Sequence, residues 1–429
     1  MKVKKFLMIF STVLLGTTLL VGCGKEKTAK AANDNITLRI SWWGNDERHK
    51  ATLAAIKHFE EDNPNIQVKS EYSGFDGVEQ KIATQMSGNT EPDIMQMNSS
   101  WLDLYSPDGS GYYDLSKLKE IDLTGYDETA LKQGQINGIQ NAVPYCVNTW
   151  VMGINKTAFD KNGVEIPKTW DGYIEAAKHF AKGTYPVQLS SSDLQIYLQQ
   201  MTGKSFVSDD GKINYSEETL VDGLNWYKKM VDEKVTPPLQ EIKEEAAAAG
   251  SGVPSKKFLN GDYAGTTQWS ATIGNDYLNL KETGQELIVA NYPTIKEGDA
   301  AYVLQSIMPF GISKNTKHPK EAAKLLNYLI NDKNGVEDMG LTRGIPANQH
   351  AYKLLSDAGQ IDDISKQVVE YTNQTDTMPK NTYLKMPMIQ TIFDENFESF
   401  ALGKTNAKDT AHEIYQKMQD AIKQFNSTR

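Results

Sequence analysis

The sequence predicts an α/β protein, and two observations support that fold class. Beyond a polar N-terminal stretch, apolar runs typical of buried strands alternate with segments that have the spacing of amphipathic helices. The chain also has 429 residues, 39% of them hydrophobic, which is enough for two or three domains that each bury a core. Alternation of this kind implies parallel strands joined by right-handed crossovers.

Apolar spacing and the residues that start or stop helices define the expected elements. Asn63-Pro64 ends the first helix, and Thr169 is a typical N-cap, with Asp171 complementing the dipole of the helix that follows. The predicted strands are 36–43, 66–72 and 93–97, and the predicted helices are 47–62, 78–86, 170–180, 321–331 and a final helix with an apolar stripe at 411–425.

The N-terminus has the pattern of an export signal. Lysine occupies three of the first five positions, residues 6–20 are apolar, and Leu-Val-Gly-Cys at 20–23 resembles the bacterial lipobox. This resemblance implies that residues 1–22 are a lipoprotein signal peptide and that Cys23 becomes the acylated first residue. Residues 23–35 then form a flexible, polar tether. An ordinary signal peptide with a chance cysteine is the alternative.

Charge and cysteine usage exclude several classes of protein. The net charge of −10 argues against nucleic acid binding, which needs clustered Lys and Arg. If Cys23 carries lipid, Cys146 has no disulfide partner, so core burial alone must stabilise the exported protein. Two cysteines and six scattered histidines do not suggest a metal site, and we expect neither a metal nor a cofactor.

Five short segments carry a family resemblance when they are taken together. They are Trp42-Trp43-Gly44, the run Phe-Glu-Glu-Asp-Asn-Pro-Asn-Ile at 59–66, Glu91-Pro92-Asp93-Ile94, Pro167-Lys168-Thr169-Trp170-Asp171, and the spacing of Phe258, Gly261, Ala264 and Trp269. Their order along essentially the whole mature chain resembles the extracellular solute-binding proteins of family 1. These are the maltose-binding-protein-like receptors of carbohydrate ABC importers.

The resemblance implies a two-lobe α/β fold of the type II periplasmic-binding-protein class, with a hinge crossed three times. Lobe one would comprise 36–144 plus 294–344, and lobe two 145–293 plus 345–429, with a helix-rich C-terminus. Proline occurs near each expected crossing and limits local freedom there. The expected crossings are Val143-Pro144-Tyr145, Tyr292-Pro293 and Gly344-Ile345-Pro346.

The resemblance also implies a function and its partners. The protein would bind a carbohydrate, most simply an oligosaccharide, and hand it to the permease of an ABC importer. It would be an extracytoplasmic monomer, lipid-anchored to the membrane. The scarcity of arginine favours a Gram-positive source and hence the cell surface.

Three tryptophans are candidate sugar platforms. Aromatic faces cover the apolar faces of sugar rings, and planar polar groups bind hydroxyls. Trp43 lies at the carboxyl end of the first predicted strand and Trp101 follows the third, and open parallel sheets bind ligands at these ends. Trp269 lies in the cleft by resemblance. For all three, a packed core position is the alternative, and we assign Trp42 to the core by strand alternation.

Arg48 and Arg343 are the candidate cationic contacts. Arginine occurs four times in the chain, and these two lie at the start of the first helix and beside the third expected crossing. The donor fork of arginine suits vicinal hydroxyls or a carboxylate, so an acidic or N-acetylated glycan stays open. A surface or interlobe ion pair is the alternative.

Eight further residues are candidate ligand contacts because they lie in turns or near the expected cleft. The first two could instead cap a helix, and the next two could be ordinary turn residues. They are Asn45, Asp46, Phe75, Asp76, Asn98, Asn148, Asp193 and Tyr383.

The catalytic motifs sought are incomplete, and we predict that the protein is not an enzyme. His412-Glu413 begins a metalloprotease-like pattern, but position 416 is Gln, so the second zinc-binding His is missing. Gly203-Lys204-Ser205 lacks the upstream glycine of a phosphate loop. A secreted glycosidase with two cleft carboxylates stays an alternative. A receptor for a peptide, polyamine or metal is another.

Overall fold

The structure is a computed structural model that describes residues 35–75, 77–208, 210–249, 254–376, 378, 383–384 and 386–427. The signal peptide, Cys23 and nearly all of the tether lie outside the described residues, so those predictions stay predictions. Among the helices that are described, none is both long and apolar enough to cross a bilayer.

The first three strands follow the order that the sequence predicts, and the later strands differ in length and in spacing along the chain. They are β1 (Ile36–Trp43), β2 (Ile66–Ser73), β3 (Ile94–Gln96), β4 (Gln135–Ile136), β5 (Ile139–Gln140), β6 (Ala142–Asn155), β7 (Gly265–Trp269), β8 (Leu287–Ala290), β9 (Gln305–Ile312) and β10 (Ile345–Pro346).

Helices separate most of these strands. They are α1 (Asp46–Asp62), α2 (Val78–Ser87), α3 (Ser99–Tyr105), α4 (Glu128–Lys132), α5 (Lys156–Lys161), α6 (Trp170–Ala177), α7 (Ser191–Thr202), α8 (Glu217–Asp232), α9 (Leu239–Ala249), α10 (Lys256–Leu259), α11 (Ile273–Glu282), α12 (Pro319–Asn331), α13 (Lys333–Met339), α14 (Gln349–Asp357), α15 (Asp363–Gln374), α16 (Pro387–Ala401) and α17 (Ala407–Ser427), with a 3₁₀ turn at Leu115–Lys117.

Two helix starts show how local sequence sets these bounds. The Asn45 side chain accepts from the backbone N of Arg48 at 3.0 Å, which begins α1 one residue earlier than predicted. The Thr169 hydroxyl accepts from the backbone N of Gly172 at 3.1 Å, as predicted for α6. That helix ends at Ala177 instead of Phe180, because the next turns close with the tighter bonds of a 3₁₀ helix.

The main sheet has the strand order β10-β6-β9-β3-β1-β2. β1 pairs with β2 and β3 in parallel, which confirms the predicted opening of the chain. β9 then pairs antiparallel with both β3 and β6, so the sheet is mixed. The antiparallel partner β9 lies far from β3 in the sequence. The order of consecutive strands along the chain does not predict such a pairing.

β6 belongs to two parts of the molecule. Its first half, from Ala142 to Thr149, pairs with β9. From Trp150 onward it pairs with β7, and its last residues pair with β8. A register shift after Pro144 accommodates the proline, which lacks a backbone donor for the ladder.

The described residues form two large apolar cores. One gathers residues such as Leu38, Ile94, Phe310 and Leu326 under β1, β3 and β9, and we call the elements around it the first lobe. The other gathers buried residues of the far half of β6, of β8, and of α5–α8, α10, α11 and α15–α17. We call these elements the second lobe, together with β7, which pairs with β6. The α/β, two-lobe fold predicted from the sequence is therefore present.

Core membership changes later along the chain than the prolines suggested. In β6, Cys146 lies in the first core and Val151 in the second. Val303 still packs into the second core, and Met308 is the first β9 residue that belongs to the first core. Core membership therefore changes within β6 and at the start of β9, while the crossings expected at Val143-Pro144-Tyr145 and Tyr292-Pro293 stay predictions. Strands that span both lobes make the connection.

Candidate functional site

A cavity of about 510 Å³ lies between the two lobes. The first lobe contributes the turn after β2 and the N-termini of α2 and α3. The second lobe contributes the end of β7, α7 and α16, and the start of β9 completes the wall at the hinge. This volume is within the range of pockets that hold small ligands, roughly 300–1,000 Å³. The cavity opens beyond the carboxyl end of β3, where α/β sheets commonly bind ligands.

Phe75, Glu79 and Asn98 form the first-lobe wall. Phe75 follows β2 and is 55% exposed, so its ring faces open space. The Asn98 side chain caps α3 by accepting from the backbone N of Ser100 at 3.3 Å. Burial raises the pKa of the Glu79 carboxyl. Phe75 and Asn98, both proposed from the sequence, thus line the cavity.

Trp43 and Trp101 lie behind this wall. The Trp43 ring meets Phe75 edge-on with ring centroids 5.7 Å apart, and it meets Trp101 at 5.5 Å. Trp43 is 7% exposed and Trp101 only 1%, and both belong to the first core. Both tryptophans therefore occupy packed core positions, which was the alternative to a sugar platform, because α3 turns Trp101 inward and Phe75 covers Trp43. Their role is to support the Phe75 ring.

Trp269 forms the facing wall at the end of β7. Trp150, its partner in the β6–β7 ladder, meets it edge-on at 5.2 Å. Asn148 holds the turn that follows: its side-chain oxygen accepts from Ser270 Oγ at 3.0 Å and from the backbone N of Ala271 at 2.9 Å. The candidate Asn148 is thus bound within the protein and positions the segment that carries Trp269.

Asp193 is the centre of a buried hydrogen-bond network. It is fully buried and accepts from the backbone N and hydroxyl of Ser190, from Thr267 Oγ1 at 2.9 Å, from Trp150 Nε1 at 3.3 Å and from the Tyr292 hydroxyl. Burial raises its pKa to about 6. Proposed from the sequence as a ligand contact, Asp193 instead ties α7, β6 and β7 together beneath the cavity.

Polar side chains that the sequence did not single out complete the wall. Ser192 and Gln195 project from α7, and Ser306 lies at the start of β9. The Nε2 of Gln195 is buried and has no hydrogen-bond partner among the described residues. An amide donor in this position can bind a ligand oxygen, and without one it would carry a desolvation cost.

Helix α16 supplies one side of the cavity and was missed entirely. Its lining residues are Ile389, Gln390, Thr391, Phe393 and Asp394. The one available signal was helical spacing, which puts the polar residues at 390, 391 and 394 on one face. Such a face more often meets solvent, so the sequence alone gave no reason to prefer the cleft.

The two arginines do not face the cavity. Arg343 is fully buried, and it donates to Gln96 Oε1 at 2.7 Å and to Thr52 Oγ1 at 2.9 Å. Arg48 donates to the carbonyl oxygens of Thr342 and Trp43. Burial, followed by the nearby Arg48 charge, lowers the pKa of Arg343 to about 9. Both guanidinium groups hold the segment before β10 against the first lobe.

The other candidates also have structural positions. Asn45 caps α1, the alternative considered for it, and Asp46 is exposed in the first turn of that helix. Tyr383 is 8% exposed, packs against Phe425 and donates to Asn426 Oδ1 at 2.9 Å. Asp76 lies outside the described residues, and its assignment stays a prediction.

Comparison with known proteins identifies the family. The model of a bacterial extracellular solute-binding protein family matches residues 54–367. The chain belongs to this family. The solute-binding protein is similar to the structure of a periplasmic oligogalacturonide binding protein from Yersinia enterocolitica in complex with saturated digalacturonic acid, at 32% identity and a TM-score of 0.82 over 91% of this chain and 99% of that one.

Curated relatives agree with this assignment. The multiple sugar-binding protein of Streptococcus mutans is 24% identical over 77% of this chain and 79% of its own. The diacetylchitobiose binding protein of Streptomyces coelicolor is 26% identical over 52% of this chain and 50% of its own. Members of the family bind solutes outside the cytoplasm, which makes this protein extracytoplasmic and matches the family predicted from the sequence.

Proposed function

We propose that this solute-binding protein captures an oligosaccharide between its lobes and delivers it to the permease of an ABC importer. The observation that carries the proposal is the cavity itself, with Phe75 on one lobe and Trp269 on the other. Aromatic rings of this kind cover the C–H faces of sugars, while Asn98, Ser192 and Gln195 offer groups for hydroxyls. Relatives that bind sugars support it.

Closure of the lobes on the ligand would provide the capture step. Phe75 and Asn98 move with one lobe and Trp269 and Gln195 with the other, so a ligand that touches both favours the closed state. The bending would occur in β6, at the start of β9 and between α14 and α15, because Ala347 still packs against the first core and Ile364 belongs to the second. The protein itself would act as a monomer and perform no reaction; the importer does the work.

A binding screen tests the proposed function. Thermal unfolding in the presence of neutral and acidic di- to tetrasaccharides should show stabilisation by at least one of them. A ligand at about 100 times its Kd adds about 2.7 kcal/mol to the free energy of unfolding. Absence of any shift across the panel would contradict the proposal, and sugar release during incubation would instead support a glycosidase.

The anchor is tested by replacing the cysteine of the lipobox. We propose that Cys23 is acylated, as its position after Leu-Val-Gly implies, and that the acyl chains hold the protein at the membrane. Cys23→Ser is expected to abolish palmitate labelling and to move most of the protein from the membrane fraction to the soluble fraction. Cys146→Ser is the matched control, because Cys146 is buried in the first lobe. Membrane retention of the Cys23 variant would exclude this anchor.

A further inference from the structure

Part of the cavity wall consists of apolar side chains of the second lobe, and we call this part a recess of the cavity. We call this recess the side pocket; its walls are Leu198, Phe206, Tyr215, Ile389, Phe393 and Met418. Each of these residues is at most 8% exposed and belongs to the second core, yet each also lines the cavity. The side pocket is therefore a concave part of the core surface that communicates with the binding cleft.

Its walls present carbon atoms. Phe206 stacks on Tyr215 with ring centroids 4.8 Å apart and meets Phe393 edge-on at 6.2 Å. The Tyr215 hydroxyl donates to the carbonyl oxygen of Lys204 at 2.7 Å, so its polar end is already bound. A sugar hydroxyl placed here would lose its hydrogen bonds to water without gaining a partner, whereas burial of a methyl group would be favourable.

The charged side chains that line the cavity in the described part of the chain are acidic. Among the lining residues that the structure describes, the charged ones are Glu79 and Asp394, both carboxylates. Glu79 lies on the first lobe and Asp394 on α16 of the second, so an anionic ligand would meet negative charge from both sides. The two arginines that could have offered a positive charge are buried in the first lobe and bound there.

We infer that the ligand is an uncharged oligosaccharide that carries a small apolar substituent, such as an acetyl group or a methyl ester, and that this substituent enters the side pocket. The inference rests on the proposed function and specifies its substrate class. Sugar rings would lie between Phe75 and Trp269, with the substituent directed toward Ile389 and Met418. A free uronate would be disfavoured by the two carboxylates.

Calorimetry with matched ligand pairs tests the inference. The pairs are acetylated and unacetylated neutral disaccharides of xylose and mannose, and digalacturonate with and without methyl esters. Within a pair that binds, the substituted sugar is expected to bind about tenfold more tightly or better, the usual effect of an added carbon group in an apolar pocket. A comparison of the acetylated pairs with the methyl-esterified pair shows which of the two substituents the side pocket binds.

Filling the side pocket should remove this preference. Ile389→Trp is expected to equalise the affinities within a pair by weakening the binding of the substituted sugar about tenfold or more. Leu384→Trp, which fills the cavity from a partly exposed position, serves if that variant fails to fold. Met388→Trp is the matched control, because Met388 is 43% exposed on the same helix and does not line the cavity.

The outcomes separate the inference from the proposed function. Equal affinities within the pairs, or tighter binding of free digalacturonate than of its ester, would overturn the inference and leave oligosaccharide capture intact. A preference that survives in both filled variants would also overturn it. Failure of every pair to bind, together with an empty thermal screen, would overturn the proposed function.

Discussion

Trp269→Ala is expected to weaken oligosaccharide binding by roughly 1–3 kcal/mol. This loss corresponds to an increase in Kd of about ten- to a hundredfold or slightly more. Trp269 is the large aromatic side chain on the second-lobe wall, and Trp150 meets it edge-on, which restricts its orientation. A ring held in place before binding loses little entropy when the sugar stacks on it. Titration calorimetry with the best ligand of the screen measures the change.

Two further variants make the result interpretable. Trp269→Phe keeps an aromatic face and should retain more of the affinity than Trp269→Ala. Tyr72→Ala removes an aromatic ring that is 45% exposed and stacks on Trp42 outside the cavity, so it should leave the affinity unchanged. An affinity that does not change in Trp269→Ala would remove this residue from the site.

Asp193→Ala is expected to lower the free energy of unfolding by about 3–5 kcal/mol. The substitution leaves Trp150 Nε1, the Tyr292 hydroxyl and the Ser190 backbone N without their acceptor, and each unpaired buried group costs about 1–3 kcal/mol. The sugar affinity should fall as well, since Trp150 no longer fixes Trp269. Urea unfolding measures the first effect, and a loss below about 1 kcal/mol would show that Asp193 does not organise this region.

The pH dependence of stability, compared between the wild type and Asp193→Asn, isolates the effect of the Asp193 charge, because the two side chains have nearly the same shape. Burial raises the pKa of Asp193 to about 6 from a usual value of 3.8, so the folded state binds this proton more tightly than the unfolded chain does. The resulting stability is present below pH 3.8 and is lost as the pH rises through about 6. The wild type should therefore lose stability relative to Asp193→Asn across that interval. Parallel pH profiles would contradict the shift.

Local sequence signals predicted the helices and strands whose ends depend on interactions between neighbouring residues. Thr169 predicted the start of α6 because a hydroxyl three residues before a backbone N can cap a helix, whatever packs on it. The parallel pairing of β1, β2 and β3 followed from two crossover helices. Phe75 and Asn98 were proposed because each lies after a predicted strand, and Trp269 was proposed from the family resemblance; all three line the cavity.

The surroundings of residues whose partners are distant in the chain could not be predicted from the sequence. Nothing around Arg343 shows that Gln96 and Thr52 surround its guanidinium group, so a rare arginine looked like a ligand contact. Trp43 ends β1 and Trp101 comes after β3, yet both belong to the first core, because Phe75 covers Trp43 and α3 rotates Trp101 inward. The α16 wall adjoins the cleft only through tertiary packing, and a polar helix face carries no mark that distinguishes a cavity from solvent.

The continuity of β6 limits how the protein could be divided or recombined. Its fourteen residues, Ala142–Asn155, supply ladder bonds to both lobes without an intervening linker. Separate expression of either half would leave β7 or β9 with an unpaired edge, which is a template for aggregation. A chimaera with a relative would therefore need its junctions outside β6 and β9.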